Sequence, residues 1–357
     1  MEIRHLNEDR SREQKLIVGT EDGTFRYEVL MDYPKGLPDD LALVPYSGNI
    51  SGGTVDSEGN LLCGLRGGSM MNGEPVTQIL KFDSDGNYIE SLGKGAISGT
   101  IHFIAEAPDG RIYITISSGN YCIILSKDGS TERICGPENE EGESSIDSIY
   151  LDLLLHKGII PTEPFHGRKM DMYAWSRYIE TGKMRGPFHN PTDVSFDSKG
   201  NCYFSDGYSN FAVHKYDSRG NYIKSFGGKG VIDPTKDTPG KFLVPHSICV
   251  DANDNIWVCD REKDAVHVFD NEGNVIGYAR GNMGQPSGVD TDGKYVYVAG
   301  RGGYLTIFDL EMNIVGELGF FNGNLRAHDI AADKNGNLYL FPTKANYEHQ
   351  IIALKRV

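Results

Sequence analysis

VPHSICVDANDNIWVCDR, Val244 to Arg261, is the stretch whose reading decides the fold. Apolar residues alternate at Ile248 and Val250. A turn follows at Ala252-Asn253-Asp254-Asn255, then a second apolar run at Ile256, Trp257 and Val258, and a charged exit at Asp260-Arg261. Period-two alternation on both sides of an Asn/Asp turn predicts a β-hairpin. His246 opens the first strand and Arg261 closes the second. In an antiparallel pair those ends lie side by side, so the two side chains are expected on one face.

The hairpin recurs along the chain. Its relatives are Ile50 to Arg66, Ile101 to Ser117, Pro191 to Tyr208, Pro286 to Arg301 and Ala327 to Phe341. A second hairpin follows most copies, as in QILKFDSDGNYIESLG, FAVHKYDSRGNYIKSFG, AVHVFDNEGNVIGYAR and LTIFDLEMNIVGELG. Two hairpins make a four-stranded unit. Six such units at spacings of roughly 40–50 residues, each with a Gly/Asn/Asp turn, predict an all-β, six-bladed β-propeller. The last unit ends with one strand, Gln350 to Val357. The strand-like Thr24 to Met31 is expected to complete it and close the ring, which removes two free sheet edges.

Residues 1–14 read as a flexible, polar N-terminus, and 15–357 as one propeller domain, because the repeats run through nearly all 357 residues. No secretory leader is visible, and no apolar run is long enough to span a bilayer. Cys63, Cys122, Cys135, Cys202, Cys249 and Cys259 form no CxxC and mostly sit in predicted strands, which suits buried reduced thiols and a cytoplasmic protein. The net charge of −15 argues against nucleic acid as a partner, since phosphate binding needs a basic face.

Residues 137–186 break the repeat. After the acidic PENEEGESS, the spacing of Ser144 and Asp147 suits a helix cap, and Ile146, Ile149, Leu153 and Leu154 share one helical face until Gly158 and Pro161. A partly helical insertion between blades two and three is therefore expected over the channel mouth on the His246 side. Three roles stand open for it: a lid, a contact between copies of the chain, or plain surface elaboration.

Stacking the six first strands gives the main functional clue. At the His246 position stand Ser51, His102, Thr192, His246, Ser287 and His328 in blades one to six. Histidine fills the even blades, small hydroxyl residues the odd ones. Alternate blades are a third of a turn apart, so three imidazoles converge on the channel. This is the geometry for three nitrogen ligands on Zn²⁺, or another divalent transition metal, with a position left for water or substrate. Taken singly, each histidine would be an ordinary hydrogen-bonded residue at a strand start. Their alternation argues for the metal. His214 and His267, on outer strands, read as structural.

The same mouth collects second-strand ends: Arg66, Tyr208, Arg261 and Arg301, with Asp206 and Asp260 beside them. The aspartates read as turn caps. Arg261 could pair with Asp260 or Glu262 at little energetic consequence. Near a metal it would also clamp a substrate carboxylate. Tyr208 could be core packing. Beside a divalent cation and an arginine its phenol would instead be acidified and suited to proton transfer.

PTDVSFDSKGNCYFSDGYSN, FLVPHSICVDANDNIWVCDREKDAVHVF and AHDIAAD resemble the peptidyl-α-hydroxyglycine α-amidating lyase family within the NHL-repeat propellers. The resemblance runs over roughly residues 40–345 apart from the insertion and is most specific in blades three and four. It implies zinc histidines at His102, His246 and His328, a catalytic tyrosine at Tyr208, an arginine at Arg261, and an aspartate associated with structural calcium at Asp329. The family's first-blade arginine has no clear counterpart at Asn49 to Gly52, where Arg66 or Arg301 would substitute. Ser209 stands where the family has a half-cystine, consistent with a reducing compartment.

The expected activity is a metal-dependent lyase acting on a carbinolamide or small α-hydroxy acid, a small-molecule substrate with carboxylate and hydroxyl groups. The product would be an aldehyde or 2-oxo acid, glyoxylate in the family reaction. Two rivals remain: a non-catalytic binding propeller, and a hydrolase or dehydratase using the same site. A calcium-dependent lactonase-type propeller would want oxygen ligands, whereas these channel positions supply imidazole.

Overall fold

The structure, a computed structural model, describes residues 16–30, 32–37, 41–42, 50–65, 69–71, 74–76, 78–97, 99–117, 121–135, 188, 190–208, 210–231, 236–319, 327–342 and 351–357. Five four-stranded antiparallel sheets and one five-stranded sheet form six blades. Blade one comprises Ile50–Val55, Leu61–Leu65, Ile79–Phe82 and Tyr88–Leu92. Blade two comprises Ile104–Glu106, Ile112–Ile116, Tyr121–Leu125 and Thr131–Cys135. Blade three comprises Pro191–Phe196, Cys202–Asp206, Ala212–Tyr216 and Tyr222–Gly227. Blade four comprises Pro245–Val250, Ile256–Asp260, Ala265–Phe269 and Val275–Arg280. Blade five comprises Pro286–Thr291, Val296–Gly300, Tyr304–Phe308 and Ile314–Gly319. Blade six joins Ala327–Ala332, Leu338–Pro342 and Ile352–Arg356 to Arg26–Leu30 and Leu16–Gly19. There Tyr27 pairs with Arg356 and Leu30 with Ala353.

Each blade is a short antiparallel sheet whose inner strands are buried on both faces. Apolar clusters fill the wedges between blades. Leu62, Ile79, Ile101 and Ile114 pack blade one on blade two, Val213, Val244, Ile248 and Val258 pack three on four, and Trp257, Val266, Val289 and Phe308 pack four on five. The core is therefore a ring of interfaces. Loss of one channel side chain leaves most of that ring intact.

The turns follow from their sequence. In the Val250 to Ile256 hairpin, Asp251 Oδ1 accepts the N–H groups of Asn253 and Asn255 at 2.8 and 2.9 Å. The Trp257 indole donates to Asp251 Oδ2 at 2.8 Å. Asp254 holds φ of +61°, a left-handed position that favours glycine. Its carboxylate is used between blades, accepting the Ser198 N–H and hydroxyl at 2.8 and 2.7 Å.

Two features went unforeseen. A small sheet of Leu41–Ala42, Ser69–Met71 and Glu74–Val76 branches from the excursion within blade one. The first strands of blades one, three, four, five and six also carry a register shift, between Ile50/Gly52, Pro191/Asp193, Pro245/Ser247, Pro286/Gly288 and Ala327/Asp329. The residue skipped each time is Ser51, Thr192, His246, Ser287 or His328. A bulge re-aims its side chain, so the position stacked in the sequence is a bulge repeated around the channel.

The insertion expected over 137–186, with its helix, and the segment 1–14 lie outside the described residues. Among the described residues there is no α-helix; a 3₁₀ turn at Arg261–Lys263 follows the inner hairpin of blade four. No helix among them is long and apolar enough to cross a membrane.

Candidate metal centre

Three imidazoles come together, His246 and His328 from bulge positions and His102 from the segment leading into blade two. His102, His246 and His328 offer ligand nitrogens that all lie within 4.8 Å of one another, and all three residues are buried. Their rings approach at 4.9–5.0 Å between centroids. His102 precedes the first strand of blade two and is held by its own N–H on the Thr115 carbonyl at 2.8 Å.

The odd-blade residues set the tautomers. His102 Nδ1 meets the Thr192 carbonyl at 2.8 Å, His246 Nδ1 the Ser287 carbonyl at 2.7 Å, and His328 Nδ1 the Ser51 carbonyl at 2.7 Å. A carbonyl only accepts, so each Nδ1 carries the proton and donates. Each Nε2 is then a lone-pair donor for a metal, in the orientation that ligating histidines need. Burial, then the Arg261 charge and the other two histidines, hold His246 well below the usual imidazole range. It is neutral at pH 7 and ready to bind.

Tyr208 completes the set. Its hydroxyl lies 2.8 Å from Nε2 of His102 and 2.8 Å from Nε2 of His246. One hydroxyl proton can serve only one of those acceptors, so the other Nε2 faces an oxygen lone pair. A cation shared by the imidazoles relieves that repulsion, and on this donor chemistry the residues fit a divalent metal. Arg261 Nη1 donates to the Tyr208 oxygen at 3.4 Å, and the guanidinium lies 5.4 Å from the ring centroid.

Phe103 closes the group on one side, its ring 4.4, 5.4 and 5.0 Å from those of His102, His246 and His328. It fits because residue 52 is glycine: a Cβ there would lie 2.5 Å from Phe103 Cδ1 and 2.3 Å from Asp329 Oδ2. Phe103 could have been suspected from its place beside His102, but nothing in its local pattern separates it from core packing.

The other expected residues fall variously. Asp329 does not join the histidine nitrogens; among the described residues, the group that could hold a metal comprises the three histidines. Its carboxylate accepts the Gly53 N–H at 3.0 Å and stitches blade six to blade one. With Asp193 and Asp290 it lines a cavity of about 330 Å³ further along the inner strands. Burial raises all three acids, Asp193 and Asp290 to about 7 and Asp329 well above its ordinary value. Arg301 is half-buried at the blade-five exit, its N–H on the Gln285 carbonyl at 3.0 Å. Arg66 lies outside the described residues.

Asp260 caps backbone, accepting the N–H groups of Leu243 and Val244 at 2.8 and 2.7 Å, and so anchors the approach to His246. Asp206 instead accepts from Asn210 Nδ2 and His214 Nε2, both at 3.0 Å. Of the two partners open to Arg261, Glu262 is the one it meets: Arg261 Nε donates to Glu262 Oε1 at 2.8 Å, and the pair is buried, with side chains 3% and 0% exposed. The 3₁₀ turn folds both inward.

Fold and site define a six-bladed propeller with a three-histidine channel, a group that can hold a metal ion. The NHL repeat family matches residues 242–269, within blade four. The chain is similar to peptidylglycine alpha-amidating monooxygenase of Rattus norvegicus, 26% identical over 249 residues, which are 69% of this chain and 22% of that protein. It is also similar to a probable peptidyl-alpha-hydroxyglycine alpha-amidating lyase of Caenorhabditis elegans, 30% identical over 109 residues, 30% of this chain and 29% of that one. The chain thus matches less than a third of the length of either relative. Among solved structures, a streptogramin B lyase aligns with TM-score 0.52 at 12% identity, over 89% of this chain and 97% of that one. A gluconolactonase of Xanthomonas campestris aligns with TM-score 0.55 at 11% identity, over 97% and 99%. At such identities these two share the fold only.

Proposed function

We propose that this chain is a metal-dependent lyase that cleaves a carbinolamide or similar small α-hydroxy acid, releasing an aldehyde or a 2-oxo acid such as glyoxylate. One observation carries the reading: the Tyr208 hydroxyl sits 2.8 Å from two of three convergent, proton-free Nε2 atoms. The similarity to amidating enzymes points the same way.

His102, His246 and His328 would hold the ion, Zn²⁺ or another divalent transition metal, which when bound supplies Lewis acidity toward the substrate hydroxyl. Tyr208, as phenolate, takes the hydroxyl proton. The O–H pair becomes the new carbonyl π bond while the C–N pair leaves with nitrogen. Tyr208 then returns the proton to that nitrogen, so the products are a neutral amide and the carbonyl compound. Arg261 offers its η nitrogens to the substrate carboxylate and to the Tyr208 oxygen. Phe103 excludes water from one side of the histidines. A calcium ion beside Asp329 and a cytoplasmic setting, which the buried free thiols favour, belong to the same proposal.

The test is elemental analysis of the purified protein, followed by assay of carbonyl release from α-hydroxyglycine derivatives and ureidoglycolate, with simple 2-hydroxy acids, which carry no leaving group on the carbinol carbon, as the inert control. Stoichiometric transition metal and turnover abolished by chelation and restored by metal support the reading. Absence of both metal and turnover would leave a binding propeller.

A further inference from the structure

We infer that Glu262 is the positioning residue of this site: it decides which edge of Arg261 faces the channel. The inference rests on the reading of Arg261 given above. Glu262 follows Arg261 directly in the 3₁₀ turn, and both are buried. Glu262 Oε1 accepts from Arg261 Nε at 2.8 Å, so that edge of the guanidinium is committed to the protein. The η edge is left toward Tyr208, with Nη1 at 3.4 Å from its oxygen.

Glu262 is itself fixed from the next blade. Gln285 Nε2 donates to Glu262 Oε2 at 3.2 Å. Gln285 holds φ of +61°, and its N–H is bound by Asp264 Oδ1 at 2.9 Å. Two residues later the Ser287 carbonyl takes the His246 Nδ1–H. One short segment at the entry of blade five thus orients both a metal-ligating histidine and, through Glu262, the channel arginine.

This bears on substrate recognition. Glu262 holds Nε, one of the two nitrogens of the fork that would grip a carboxylate side-on, so a substrate carboxylate is directed to the η end beside Tyr208. The buried carboxylate also offsets the guanidinium charge. Arg261 therefore acts as a directed donor rather than a free cation, and truncating Glu262 should swing it away.

The experiment compares Glu262→Ala, Glu262→Gln, Arg261→Ala and the double variant in the metal-loaded protein. Kinetics are read on the most active substrate of the panel. The Arg261 Nε–H signal is followed by ¹H–¹⁵N NMR, assigned by its loss in Arg261→Lys. Glu262→Ala is expected to lose that signal at native fold and metal content, and to raise KM about tenfold or more with a smaller change in kcat. Glu262→Gln, whose amide oxygen still accepts, should restore the signal and most of KM. In the Arg261→Ala background, removing Glu262 should cost nothing more, because it acts through Arg261. An unshifted Nε–H signal in Glu262→Ala, or an equal loss of activity from Glu262→Ala with and without Arg261, overturns the inference. If no substrate is turned over, the lyase reading fails while the NMR signal still decides the role of Glu262.

Discussion

His246→Ala is the most informative single change, because the structure separates its effect on metal from its effect on folding. The side chain is fully buried and makes two contacts that matter: Nδ1–H to the Ser287 carbonyl at 2.7 Å and Nε2 to the Tyr208 hydroxyl at 2.8 Å. Removal leaves a buried carbonyl short of a donor, which costs about 1–3 kcal/mol. The blade-to-blade wedges stay intact, so folding should survive with a thermal midpoint only a few degrees lower. Metal affinity should suffer far more. Groups that merely orient a ligand are typically worth about 10–100-fold in affinity, and loss of one of three nitrogens should exceed that. The assay is metal content after dialysis against a weak competing chelator, beside a thermal melt. His267→Ala is the control: that imidazole is equally buried in the same blade but accepts the Gly240 N–H at 3.0 Å. It should lose stability and keep its metal. Full metal occupancy in His246→Ala would refute the three-histidine site.

Tyr208→Phe should leave fold and metal content intact and lower turnover by about 10²-fold or more if the oxygen carries the proton; wild-type rates on every active substrate would remove it from the mechanism. Gly52→Ala should cost about 1–3 kcal/mol by overpacking, since its Cβ would strike Phe103 and Asp329, and an unchanged thermal midpoint would deny Phe103 its fixed place. Asp290 has its folded pKa raised by burial to about 7 from an ordinary 3.8, so its contribution to stability is fully present below 3.8 and is lost as pH rises through about 7. Asp290→Asn, which can still accept the Ala332 N–H, should therefore flatten the fall in thermal midpoint of the chelated protein between pH 4 and 8, and an identical slope would argue against the buried acid. At the other extreme, Asp83, Asp217 and Asp309 in the turns are held below 3.8, chiefly by bonds from turn asparagines that outweigh burial. Their stabilisation is lost as pH falls below that value, so unfolding should steepen there and weaken in an Asp217→Asn variant.

The sequence by itself determined the blade count and the histidine alternation. Both are local and repeated: a period-two apolar run, an Asp/Asn/Gly turn and a residue at a constant offset survive being read one hairpin at a time. The choice between His102, His246 and His328 and the other histidines needed only the register of six similar strands. What orients those imidazoles so that they could hold a metal was decided by the tertiary structure. Each Nδ1–H finds a carbonyl 90, 41 or 277 residues away, and only ring closure selects which blade supplies it. The same holds for Asp329, which sits one residue beyond His328 yet points along the channel, because successive strand residues face opposite ways and a bulge intervenes. Glu262 reads in the sequence as one more charge at a strand exit. Its burial, and hence its weight, comes from the 3₁₀ turn folding it against Gln285 of the next blade, a pairing that no local pattern encodes.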